Sequence, residues 1–102
     1  MAFNGTEGGQ ISLEAGAAMT AAHRKLNPNE TRAHFFGKDI LNDLLGQTGC
    51  VGIRMYYGID SDGMRQLVLV GVDAEGKDKT ELVADMSIRC PTQCDPSSAL
   101  NG

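Results

Sequence analysis

Apolar and polar positions change period twice between residues 34 and 73, and each change marks an element. Phe36, Ile40 and Leu44 form one row at i,i+4 spacing, with Leu41 and Leu45 beside it. Together they make a wide apolar face and predict a helix over residues 38–45. Its start is open between a Thr31 cap and a break at Gly37, and Gly46 and Gly49 close it. From Cys50 the period drops to two. Val51, Ile53, Met55 and Tyr57 fall on one face and Gly52, Arg54 and Tyr56 on the other, as in a half-buried strand. Asp60-Ser61-Asp62-Gly63 is a turn signal, because Gly63 tolerates the positive φ that hairpin loops require. The run Leu67-Val68-Leu69-Val70-Gly71-Val72 then fails to alternate, so both of its faces need cover. Asp73-Ala74-Glu75-Gly76-Lys77 predicts a second hairpin turn, and residues 80–84 a third, weaker strand.

Upstream, Ser12 is placed to cap a helix, and Glu14 suits the positive end of its dipole. Ala15, Ala18, Met19, Ala22 and Leu26 give that helix a shallow apolar stripe. Gly16 costs it about 1 kcal/mol relative to alanine, and Asn27-Pro28-Asn29 ends it. Residues 1–10, Gly-rich and polar, read as a disordered tail unless something docks on them, residues 11–88 as a single domain, and residues 89–102 as an irregular segment with two cysteines. The expected fold is α+β, with two N-terminal helices packed on one face of a two- or three-stranded antiparallel meander.

Composition narrows the function classes. A chain of 102 residues buries only about 60 to 70% of its unfolded surface. With no Trp, two Tyr and three Phe, much of its 41% apolar content adds little area. A net charge of -4 without a basic patch argues against nucleic-acid and anionic-membrane partners. No apolar run is long enough to span a bilayer, and the first ten residues lack the basic start and apolar core of a secretory signal. Three cysteines, an odd count, fit a reducing compartment, and the expected address is the cytoplasm. The doubly apolar strand points to a homodimer whose interface takes in Leu67, Val68, Leu69, Val70 and Val72, with a protein partner as a further possibility.

Candidate chemistry is sparse. Cys90-Pro91-Thr92-Gln93-Cys94 sets two thiols four positions apart; with Cys50 and His34 they could ligate zinc or iron, or the pair could form a disulfide or redox couple. Free thiols are the leading alternative, and a disulfide closing so short a loop is worth roughly 2 kcal/mol. Asp60, Asp62 and Gly63, like Asp73, Glu75, Gly76 and Asp78, resemble the opening of a calcium loop but lack its downstream bidentate Glu, so they read as hairpin turns. His23, beside Arg24 and Lys25, reads as solvated, whereas His34 precedes Phe35 and Phe36, where an imidazole pKa is tunable. Arg54 and Arg65 are expected near each other on the hairpin, meeting Asp60 and Asp62.

The segments His34-Phe35-Phe36-Gly37-Lys38-Asp39-Ile40-Leu41, Gly49-Cys50-Val51-Gly52-Ile53-Arg54 and Leu67-Val68-Leu69-Val70-Gly71-Val72-Asp73 resemble a family of short, uncharacterised bacterial proteins. That resemblance spans roughly residues 11–94, includes the Cys-Pro-x-x-Cys, and implies no activity. The leading expectation is a small cytoplasmic interaction or scaffold module that works as an oligomer, without a cofactor. Its rivals are a thiol-based metal or redox protein using Cys50, Cys90 and Cys94, and a small enzyme using His34 and an arginine on an anionic metabolite.

Overall fold

The computed structural model describes residues 3–101. In chain order the elements are α1 (Leu13–Leu26), β1 (Ala33–Phe35), α2 (Lys38–Leu45), β2 (Cys50–Ile59), β3 (Arg65–Asp73), β4 (Asp78–Ala84) and β5 (Ile88–Cys90). The fold is α+β, with both helices N-terminal to an antiparallel three-stranded meander ordered β2-β3-β4 and a separate two-stranded ribbon of β1 and β5. No helix among the described residues is long and apolar enough to cross a membrane. The chain divides into two compact units, residues 3–8 with Phe36–Ser87, and Gly9–Phe35 with residues 88–101.

The meander unit is organised around β3. Leu69 is fully buried with Leu44 of α2 and Ala84 of β4, and Phe36, Ile40, Leu41, Ile53, Leu67 and Leu82 pack around them. Leu45 departs from the expected buried face of α2, standing 47% exposed, because a short helix over a sheet buries only the row that points straight down. Gly37 starts α2, without a side-chain cap. Gly71 lets the end of α2 approach the sheet: a Cβ there would lie 2.7 Å from Gln47 Nε2, 2.9 Å from Cys50 Sγ and 3.2 Å from the Leu44 carbonyl.

Both faces of β3 are covered within one chain, which corrects the premise that its second apolar face needs a partner. Register places Tyr56, Arg54 and Gly52 of β2 opposite Val68, Val70 and Val72, and Asp78 of β4 opposite Val72 from the other side. Arg54 Nη1 donates to Asp78 Oδ1 at 2.6 Å and to the Gly76 carbonyl at 3.1 Å, and the Tyr56 hydroxyl donates to Asp78 Oδ2 at 2.5 Å. Arg54, Tyr56 and Asp78 belong to the two outer strands, so their bonds form a polar strap across the central one. Beneath it Val70 and Val72 are buried. Phe3 adds to this side: its amide donates to the Ala74 carbonyl at 2.7 Å, its ring faces Gly76, and the Arg54 guanidinium lies 5.6 Å from the ring centroid. The segment expected to be a tail thus holds a docked aromatic residue.

The hairpin turns are wired alike. Asp60 Oδ1 accepts the amides of Asp62 and Met64, while Asp73 Oδ1 accepts those of Glu75 and Lys77. Gly63 and Gly76 take φ of 80° and 82°. The carboxylates are engaged by their own loops' amides, as the turn reading expects.

In the second unit, Ser12 caps α1 by accepting the Ala15 amide at 3.0 Å. The expected stripe is not its packed face. Met19 is exposed and Leu26 is 80% exposed, whereas Gly16, Thr20 and Arg24 are half-buried. A Cβ on Gly16 would meet Leu100 Cδ2 at 3.3 Å, and Arg24 Nη1 donates to the Leu100 carbonyl at 2.8 Å. The helix therefore turns its small and polar side to the C-terminal segment. The ribbon pairs Ala33 with Cys90, His34 with Arg89 and Phe35 with Ile88, in stretches expected to be a helix approach and an irregular end. Three-residue strands are too short to show a period of two.

Candidate functional site

The meander unit offers two surfaces. The first is a cleft of about 420 Å³ lined by Phe3, Gly5, Glu7, Val51, Gly52, Ile53, Arg54 and Val72. Its charged groups are committed: Arg54 to Asp78 and Gly76, and Glu7 to the amides of Asn4 and Gly5 at 3.0 and 2.9 Å. The Asn4 amide foremost holds the Glu7 carboxyl below its ordinary range. The Asp78 carboxyl is likewise held low, first by the Tyr56 hydroxyl and then by Arg54. The lining holds no hydroxyl, thiol, amine or imidazole side chain, and its one carboxylate, Glu7, is engaged by the Asn4 and Gly5 amides.

The second surface is the distal half of β2. At eight residues α2 is about 12 Å long, while the ten residues of β2 extend about 33 Å, so the helix cannot cover the strand. Beyond Ile53 the apolar row continues bare: Met55 is exposed, Tyr57 is 95% exposed and Ile59 is 70% exposed. Among the described residues β2 pairs only with β3, leaving its outer edge without a strand. Period-two alternation located this row; the length mismatch that bares its far end lay in elements whose lengths had to be known first.

Of the interface residues expected on β3, Leu69, Val70 and Val72 are buried within the chain, and Leu67 and Val68 are half-buried. Arg54 and Arg65 do not approach each other. Arg65 stands opposite Ile59, and Arg54, five residues before Ile59 on the same regular stretch, is on the other face.

Of the proposed metal ligands, Cys90 and Cys94 are joined as a disulfide. His34 lies half-buried in the same unit, opposite Arg89, and burial first, then the Arg89 charge, lowers its pKa. Cys50 belongs to the meander unit, where its thiol donates to the Gly52 carbonyl at 3.2 Å. Among the described residues no group of three or more His, Cys, Asp and Glu side chains stands ready to share a metal ion. In comparisons with known proteins, no family model, curated protein or solved structure matches this chain.

Proposed function

We propose that this protein is a small cytoplasmic interaction module that works as an oligomer and binds through the distal half of β2. The observation that carries this reading is the bare row of Met55, Tyr57 and Ile59 on a strand whose outer edge is unpaired. Edge strands bind extended partners by main-chain hydrogen bonds, with alternate side chains supplying specificity. A solvent-exposed row of this size stabilises nothing inside the chain, whereas burying it against a partner recovers about 1.5 to 3 kcal/mol per large side chain. The module reading places the binding residues on β2 rather than on the buried stretch of β3. Size measurement in solution, on the parent and on Met55→Lys, tests it. An oligomer that the lysine weakens supports the module; a parent that stays monomeric and captures no extended peptide removes it.

The closed Cys90–Cys94 pair favours a second reading, a thiol redox protein. In the cytoplasm such a pair persists only where redox chemistry cycles it. Titration against glutathione buffers separates the two: a midpoint within the range of cellular redox couples supports cycling, and a pair reduced under every buffer leaves the module alone.

A further inference from the structure

The two edges of the meander are built differently. β4 carries Asp78, Lys79 and Glu81, and its pairing with β3 is interrupted, Val70 facing Val83 while the adjacent Gly71 faces Lys79. Charges and an irregular register are devices that keep an edge from pairing with another chain. Residues 55–59 of β2, Met-Tyr-Tyr-Gly-Ile, have no charge, no proline and no register shift against β3. One edge of the sheet is guarded and the other is open.

We infer that the open edge pairs with the same edge of a second copy, antiparallel, with Tyr57 on the two-fold axis, so that two meanders join into one six-stranded sheet. This rests on the module reading and names its partner. Three observations fix the occupant and the register. First, a two-fold axis normal to the sheet keeps like faces together, so only residues of the same parity can face each other. Setting Tyr57 opposite itself places Met55 opposite Ile59 of the second copy. The three bare side chains and their mates then bury one another without drawing on the core, as an aromatic pair flanked by apolar pairs. Second, on the opposite face Arg54 and Tyr56 stay turned inward to Asp78, and the same register sets no like charges opposite each other, Gly58 falling opposite Tyr56 of the second copy. Each chain carries a net charge of -4, and the uncharged strip from Met55 to Ile59 is where two copies can approach without like charges meeting. Third, moving the axis towards the start of β2 would bring in half-buried residues 51–53. There Gly5 passes so close to the strand that an added Cβ would lie 3.2 Å from the Val51 carbonyl.

The test is site-specific disulfide trapping in a Cys50→Ser background, with oxidised glutathione as oxidant and sedimentation of the untrapped protein alongside. Tyr57→Cys alone should give a covalent dimer. Met55→Cys and Ile59→Cys should each give little alone and a heterodimer when mixed. Tyr57→Lys should weaken self-association by at least about tenfold, through loss of the central aromatic pair and apposition of two like charges, with an unchanged circular dichroism spectrum because Tyr57 is exposed. A dimer that Tyr57→Lys leaves intact, or that traps at other positions, overturns this register while the oligomeric module stands. A protein that remains monomeric at micromolar concentration, with no trapping at any of the three sites, overturns the second copy as partner. If it then captures an extended apolar peptide on β2, the module reading survives; if it captures none, that reading falls as well.

Discussion

Both helices carry an apolar row in the sequence, wide in α2 and shallow in α1, and α2 buries its row while α1 does not. Leu44 of α2 is fully buried against Leu69, whereas Leu26 of α1 is exposed and the helix packs through Gly16, Thr20 and Arg24. The difference follows from what each row offers. Ile40, Leu41 and Leu44 remove large apolar areas from water, while a stripe rich in alanine gains little by burial. Small residues on the other side of α1 allow Leu100 to approach closely and Arg24 to bond its carbonyl. Periodicity shows that a helix has sides; residue size and what lies nearby decide which side is packed.

Truncating the same residue type in both helices should separate them most. Leu44→Ala should cost about 2 to 5 kcal/mol, since a fully buried leucine leaves a cavity. Leu26→Ala should change stability by no more than about 0.5 kcal/mol. Midpoints of both variants equal to the parent's would show that neither row is packed, and midpoints lowered alike would show that both are.

A smaller contrast concerns the two glycines. Gly71→Ala forces a methyl within 2.7 Å of Gln47 and 2.9 Å of Cys50, and an added methylene in so tight a site costs about 1 to 3 kcal/mol. Gly16→Ala meets only flexible side-chain ends, Leu100 Cδ2 at 3.3 Å and Ile11 Cδ1 at 3.6 Å, and gains helix propensity, so it should stabilise by up to about 1 kcal/mol. Thermal melts of both variants should move in opposite directions.

The smallest effect separates the units by pH. Burial and then Arg89 depress the folded-state pKa of His34, so below the ordinary value of 6.5 the unfolded chain takes the proton more readily. The ribbon unit should be at full stability above that value and weaken as pH falls beneath it. Tyr56 and then Arg54 depress the Asp78 pKa, so the strap's contribution is complete above the ordinary 3.8 and is lost only on further acidification. Amide exchange at Arg89 should therefore rise at milder acidity than exchange at Val70, and His34→Gln should remove the first response alone.

Much of α1, α2 and the meander was legible because their signals are local. Ser12, the row from Ile40 to Leu44, the alternation from Val51 and the two Asp-x-x-Gly turns each specify an element within a few residues. The ribbon was not, since His34 meets Arg89 across more than half the chain and three-residue strands carry no period. The strap was missed for a related reason: Arg54 could have met Asp60 or Asp78, and only the register of β3 and β4 chooses. Docking of Phe3 had a faint signal, one aromatic residue in a polar stretch. At the candidate site the apolar row was visible, but its bare end depended on a helix too short for its sheet.

The matching turns have a consequence for how the meander tolerates change. Asp60 and Asp73 each satisfy two amides of their own loop, and each is followed three positions later by a glycine in left-handed conformation. A loop whose aspartate satisfies its own amides needs only that two strands arrive and leave for the reversal itself, so contacts such as those of Phe3 and Arg54 with the second turn are additions to it. The five-residue word is therefore a portable reversal of chain direction, used twice in succession. Drift can rewrite the residues between aspartate and glycine, as Ser61-Asp62 and Ala74-Glu75 already differ, while the strands keep their order.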